Sequence, residues 1–340
     1  MLPRSTHFLV GSVHERSMHP FRAAFRLPLV VVRHHELLMA FVRRELRARI
    51  EGSTLGRVWP VIQPAVLFAI YYLVFARILK IGFSDELAPH GPDGEGWRST
   101  FYLITGILPW TVLAESLSRG SGVVLENANL VKKIAFPSEL LPVYTVVVNH
   151  VYLLIGYALL VAMEWVVNGS LPIALVWLPA ILVVQFLFIS GLAMFLSAAN
   201  IFVRDVMQLV PVVVIFWMFT TPVFYDLNAV ATQAEKKVEF GQATVVALEA
   251  DPLASPALLS QATSTLENDR ASAQDVNRIN DIMQINPMAT VLSLHRSIWT
   301  YGKVPLDVGK LLRFGLLAVV VQFLGYAFFL RCKGRFSDEV

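Results

Sequence analysis

Cysteine is almost missing from this sequence: Cys332 is the single one in 340 residues, which excludes a disulfide within the chain and any cysteine metal cluster. Charge is scarce as well. Asp, Glu, Lys and Arg make up 16% of the residues, against about 25% in an ordinary soluble domain. The net charge of +3 gives a nucleic-acid partner no overall support. Phosphate-binding loops are lacking too, because neither Gly302 with Lys303 nor Gly309 with Lys310 stands in a Gly-x-x-x-x-Gly-Lys-Ser/Thr context. The His34, His35, Glu36 run is not His-Glu-x-x-His, so a metalloprotease reading is weak. His7, His14 and His19 are irregularly spaced and have no acidic or cysteine partners, so no metal site is expected. What the sequence does hold is apolar: 56% of it is hydrophobic, and its mean hydropathy is +0.59. One globular core does not hide that much apolar surface, and lipid is the solvent it calls for.

A hydrocarbon layer about 30 Å thick takes about 20 helical residues. Six apolar stretches of roughly that length are expected to cross it, at 58–79, 101–117, 140–167, 171–200, 206–225 and 311–330. The second is the poorest, being short and holding Pro109 and Glu115. Pro179 is expected to kink the fourth. Arginine crowds the first 57 residues, and the positive-inside rule therefore places that end in the cytoplasm. Six crossings return the basic tail, with Arg331, Lys333 and Arg335, to the same side. No apolar h-region occupies the first 20 residues, so the first span is expected to direct insertion itself.

Ahead of that span, Leu38, Phe41, Val42, Leu46 and Ile50 recur at helical spacing, with Arg43, Arg44, Arg47 and Arg49 around the rest of the circumference. This predicts an amphipathic helix in the headgroup layer, bending at Gly52 and Gly56 into the first span. Its arginines either anchor it to anionic lipid or bind a phosphate or pyrophosphate bidentately. The loop 119–141 is too polar to cross the membrane, yet keeps Leu130, Val131, Ile134 and Phe136 for packing. A short docking helix is expected there, capped by Asn127 or Asn129, with Lys132 and Lys133 near its end and Pro137 stopping it.

Several runs then resemble the permease subunit of ABC-2 type exporters, above all those that export O-antigen, capsule or teichoic acid. RRELRARIEGSTLGRVWPVIQP (43–64) is similar to the family's entry segment. NLVKKIAFPSELLPV (129–143) resembles its coupling loop, and IFVRDVMQLVPVVVIFWMFTTPVFY (201–225) its Arg-Asp turn, fifth helix and exit. INPMATVLSLHRSIWTYG (285–302) looks like the re-entrant segment before the last span. The resemblance implies an all-α integral membrane protein of six transmembrane helices, with an amphipathic interface helix at 29–57 after a cytoplasmic tail at 1–28. Spans one to five would occupy 58–225, the re-entrant segment 286–310, the last helix 311–331 and a cytoplasmic tail 332–340. The chain departs from the family at 226–285, where a polar Ala/Ser/Gln-rich insertion suggests an extracytoplasmic helical cap.

The resemblance also implies partners. A separate ATPase dimer would bind ATP and magnesium, leaving this chain without cofactor, metal or catalytic residue of its own, and would dock on Asn129, Lys132, Lys133, Phe136, Pro137 and Glu139. A second copy would complete a conduit in a bacterial cytoplasmic membrane. Trp59, Phe68, Tyr71, Tyr72, Trp110, Phe216, Phe219, Phe224 and Tyr225 would line the path of a polyprenyl-pyrophosphate-linked glycan, since sugar C–H faces pack on rings. Arg43, Arg44, Arg47 and Arg57 would hold the pyrophosphate or a lipid headgroup. A drug or small-lipid exporter is the nearest alternative. A secondary transporter or channel predicts internal repeats or paired intramembrane charges, and neither is found. Glu115, Asn149, His150, Glu164, Gln185 and Gln208 are the strongly polar residues inside the spans; the adjacent Asn149 and His150 are expected to hydrogen-bond between helices rather than form a proton relay, and Glu115 to reach Arg119.

Overall fold

The computed structural model describes residues 26–51, 55–78, 94–132, 136–299 and 306–339, and every element among them is helical. The entry is made of α1 (Leu27–Arg33) and α2 (His35–Ala48). Along α2 the apolar stripe is turned inward, with Leu38, Phe41 and Val42 buried, while Arg43, Arg44 and Arg47 are exposed. Phe41 stacks on Tyr144 at 5.4 Å, and one helical stretch further Arg49 lies over Tyr152 at 4.8 Å. Equal steps along both chains mean that α2 runs beside the first third of the helix carrying Tyr144 and Tyr152. It is docked on the helical bundle rather than lying free in the headgroup layer. Gly56 then takes a φ of +48°, a left-handed turn that favours a residue without Cβ, just ahead of the next helix.

The chain continues as α3 (Trp59–Tyr71), which passes into π-helical Tyr72–Ile78. The next helix, α4 (Gly94–Glu126), was expected to be the poorest span, and it is the longest helix and the most enclosed. It is the hub of the fold, touched by α3 and by five later helices, α5 among them. Its polar residues stay inside because each has a local acceptor or a neighbour. Thr105 donates to Phe101 O at 2.6 Å, and Ser116 accepts from Asn149 at 3.0 Å. Eight residues assigned to the 119–141 loop therefore belong to this helix, and only α5 (Ala128–Val131) remains as a single docking turn. Asn127 does not cap it; its amide turns back to Val123 O.

Two long helices follow, α6 (Leu140–Asn168) and α7 (Leu178–Phe202), then α8 (Val206–Phe219). Pro179 falls in the first turn of α7, after the 3-10 stretch Ile173–Trp177, so it starts that helix instead of kinking it. The insertion is a hairpin of α9 (Leu227–Ala250) and α10 (Pro256–Gln284). The chain ends with α11 (Pro287–Ser297), α12 (Val308–Lys333) and α13 (Phe336–Glu339). Four described helices are long and apolar enough to cross a membrane: Thr100–Glu126, Leu140–Asn168, Ile173–Phe202 and Val308–Lys333. Trp59–Phe75 and Val206–Phe219 are apolar but shorter. The chain is a multi-pass membrane protein.

Packing falls into two apolar cores. One gathers Phe101, Leu113, Leu160, Phe188, Leu292 and Trp299 around α4 and α11. The other joins Phe41 and Val42 of α2 to Val124, Leu141, Tyr144, Phe329 and Phe336. Between α7 and α12 the backbones touch: a Cβ on Gly325 would stand 2.0 Å from Gly191 O, so no side chain fits at that crossing. In the hairpin, the less exposed residues of α9 are, among those described, Ala231, Ala234, Val238, Gly241, Thr244, Val245 and Leu248. Those of α10 include Leu259, Ala262, Leu266, Asp269, Ala273, Val276, Asn280 and Met283. Both sets step by three and four, the seam of an antiparallel coiled coil, with Gly241 against Leu266 near its centre.

Candidate functional site

The nine rings expected along a path do not share one environment. Phe68 and Trp110 belong to the apolar core, 6% and 4% exposed, and Trp110 meets Trp217 edge-on at 6.1 Å. Tyr71, Tyr72, Phe224 and Tyr225 are half-buried. Trp59, Phe216 and Phe219 face outward, with Phe216 70% and Phe219 66% exposed. Along α8 only Val210 and Val214 are buried, leaving most of an apolar helix without a protein neighbour. The outer part of α3 is similar, with Val61, Val66, Ile70 and Leu73 exposed.

At the end of α8 the chain meets α11, where the densest polar cluster lies. Asn286 accepts from Met288 N at 3.0 Å, capping α11, and from Trp217 Nε1 at 3.0 Å. Its amide donates to Thr220 O at 3.1 Å and Thr221 Oγ1 at 2.8 Å. One asparagine thus ties α11 to the exit of α8. Arg296, at the other end of α11, is fully enclosed over the Tyr102 ring at 3.6 Å. Its Nη2 donates to Val223 O at 2.9 Å and its Nε to Tyr102 O at 3.4 Å, while buried Asp226 supplies opposite charge nearby. Tyr102 in turn donates to Tyr225 O at 2.7 Å. A Cβ at Gly106 would stand 2.6 Å from Arg296 Nη2, so the absence of a side chain there makes room for the guanidinium.

His295 forms a second chain of bonds. Its Nε2 is 2.8 Å from Gln185 Oε1, its Nδ1 2.6 Å from Tyr157 OH, and Gln185 Nε2 donates to Pro109 O at 3.0 Å. Because the amide oxygen only accepts, Nε2 carries the proton, and in the neutral ring Nδ1 accepts from the Tyr157 hydroxyl. Four helices, α4, α6, α7 and α11, are joined through this histidine. The sequence reading quoted these residues within the Asn-Pro segment but gave His295 and Arg296 no role. Two strongly polar neighbours inside an otherwise apolar run were the signal that marked them.

On the opposite end, Arg43, Arg44 and Arg47 project from α2, Arg44 lying over Phe41 at 5.0 Å. Arg57 stands in the turn at Gly56–Val58. Glu45 pairs with Arg119 and lies 3.7 Å from Arg49. Arg119 is thereby taken up by α2 and not by Glu115, the partner expected one turn back. Asn149 bridges helices as expected, accepting from Arg49 at 3.3 Å and donating to Ser116. His150 instead bonds its own helix at Val146 O, 2.9 Å away. Of the docking residues, Asn129 and Lys132 are exposed, while Phe136 and Pro137 are half-buried, Phe136 edge-on to Phe41 at 6.1 Å. Glu139 is buried and paired with Lys333 Nζ at 2.6 Å, and Lys133 lies outside the described residues. His7, His14 and His19 lie outside them too.

Comparison with known proteins gives a consistent result. The ABC-2 type transporter family matches residues 36–234, more than half of the chain. An O-antigen export system permease protein RfbA from Myxococcus xanthus is 26% identical over 223 residues, 66% of this chain and 81% of the relative. Proteins of the same description from Klebsiella pneumoniae are 26% and 25% identical over 191 residues, 56% of this chain and 69% of each relative.

Proposed function

Since the chain belongs to the ABC-2 type transporter family, whose membrane subunits work with an ABC ATPase, we propose that it is the permease subunit of an ATP-driven polysaccharide exporter. The cargo would be an O-antigen, capsule or teichoic-acid type glycan on a polyprenyl pyrophosphate, moved across the bacterial cytoplasmic membrane. The relatives named as O-antigen export permeases carry the substrate class. The geometry supports the mode of transport. Six short or long apolar helices do not enclose a polar conduit alone, and the uncovered faces of α3 and α8 are suited to a second copy across a twofold axis.

In this reading the pyrophosphate is held by Arg43, Arg44, Arg47 or Arg57, charge-assisted bonds to guanidinium being the strongest available at a phosphate. The glycan slides over the outward rings, Trp59, Phe216 and Phe219, with Tyr72 and Tyr225 offering hydroxyls. ATP and magnesium stay with the ATPase, which docks on the exposed face of Asn129 and Lys132, with Phe136, Pro137 and Glu139 behind it and Lys133 as a further contact expected from the sequence. The Glu139–Lys333 pair ties the start of α6, which follows the docking turn, to the end of α12. Both termini lie in the cytoplasm. The test is ATP hydrolysis by the chain co-purified with its ATPase subunit: lipid-linked glycan should stimulate it and hydrophobic drugs should not. Stimulation by the drug alone would return the reading to a drug exporter.

A further inference from the structure

A groove of about 470 Å³ lies between α7 and α12, and none of its lining residues belongs to α3 or α8. Its floor is the glycine crossing. Because the backbones touch at Gly191 and Gly325, the helices have no side chains there to fill the space above them. Its walls are Phe195 and Phe328, whose rings lie 4.8 Å apart, and Leu324, 53% exposed. From Val321 to Arg331 the helix rises about 15 Å, half the hydrocarbon thickness and so the depth of one leaflet.

Arg331 closes one end of this groove. It is exposed, and among the described residues it makes no hydrogen bond or ion pair, whereas its neighbour Lys333 is held by Glu139. An apolar slot one leaflet deep ending on a free guanidinium at the membrane boundary matches one chemistry. The geometry points to a resident anionic glycerophospholipid, an acyl chain in the slot and its phosphate on Arg331. A guanidinium fork at the boundary favours an anionic headgroup by about fivefold per cation. The site is remote from the proposed conduit and holds whether or not the cargo is a glycan.

Native mass spectrometry of the purified full chain, with phosphatidylglycerol and phosphatidylcholine added in equal amounts, tests this. Wild type should retain one phosphatidylglycerol with about a fivefold preference. Arg331→Gln should bring the preference to parity. Leu324→Trp, which fills the slot without altering charge, should lower retention of both lipids. Arg313→Gln, at the exposed other end of α12, should change nothing, and excess inorganic phosphate should not displace the lipid. A preference that survives Arg331→Gln, that falls equally with Arg313→Gln, or that is lost to inorganic phosphate or polyprenyl phosphate overturns the assignment.

Discussion

The 11-residue α11 and the hairpin of α9 and α10 are adjacent in sequence and opposite in construction. In α11 the polar side chains Asn286, His295 and Arg296 are each bonded to other helices, and Met288, Val291, Leu292 and Leu294 are fully buried beneath them. At about 16 Å, α11 is half as long as a membrane crossing. The hairpin is far longer, with helices of 24 and 29 residues, yet among its described side chains only Leu266 and Ala273 are buried. Its helices hold each other by a seam of small residues, while Phe240, Val246 and Leu253 face outward. A short element can therefore be essential to the fold when its polar groups are shared among four helices. A long one can be an attachment when its contacts are mostly internal.

The comparison can be broken at several points, and the largest expected effect is at Arg296. Arg296→Ala removes the charge over Tyr102 and leaves Val223 O and buried Asp226 without it, which should cost about 3–5 kcal/mol. Denaturant unfolding in detergent micelles should show a loss of that size. His295→Ala strands Tyr157 OH and Gln185 Oε1 and should cost about 2–3 kcal/mol. His295→Gln should recover part of it in the same measurement. Asn286→Ala deletes the cap of α11 and the ties to Trp217 and Thr221, for about 1–2 kcal/mol. Replacing residues 229–282 by a short flexible linker should be the mildest change, under about 1 kcal/mol in the membrane core. The ends can be joined because Tyr225 OH already lies 3.4 Å from Met283 Sδ. If the deletion unfolds the chain while His295→Ala does not, the two regions have been assigned the wrong way round.

Much of this was legible in the sequence where periodicity and length carry the information. The amphipathic stripe of α2, the third, fourth and sixth spans, and Asn149 as an interhelical bridge follow from residue spacing. Three features did not. The enclosure of α4 was hidden because Pro109, Glu115 and a short apolar run marked the second span as poor, whereas a central helix surrounded by others also satisfies buried polar groups such as Thr105 and Ser116 internally. The insertion was expected to be helical, but its heptad seam was masked by its small residues, Ala231, Ala234, Gly241, Ala262 and Ala273, which read only as an Ala/Ser/Gln-rich composition. The bonds of His295 and Arg296 join residues 73 to 194 positions apart, and no local pattern reports such pairings. The family resemblance, by contrast, was carried by the order of short motifs, and the family match from 36 to 234 covers the entry, coupling and fifth-helix runs that bore it.

The most direct test of the central claim is the location of glycan in cells depleted of this chain. Extracting lipid-linked glycan and labelling the cell surface after depletion should show polyprenyl-linked polymer accumulating inside while surface polymer falls, and re-expression should reverse both. Surface glycan at its normal level, with no polymer retained on the carrier, would contradict export of polysaccharide as the function of this permease.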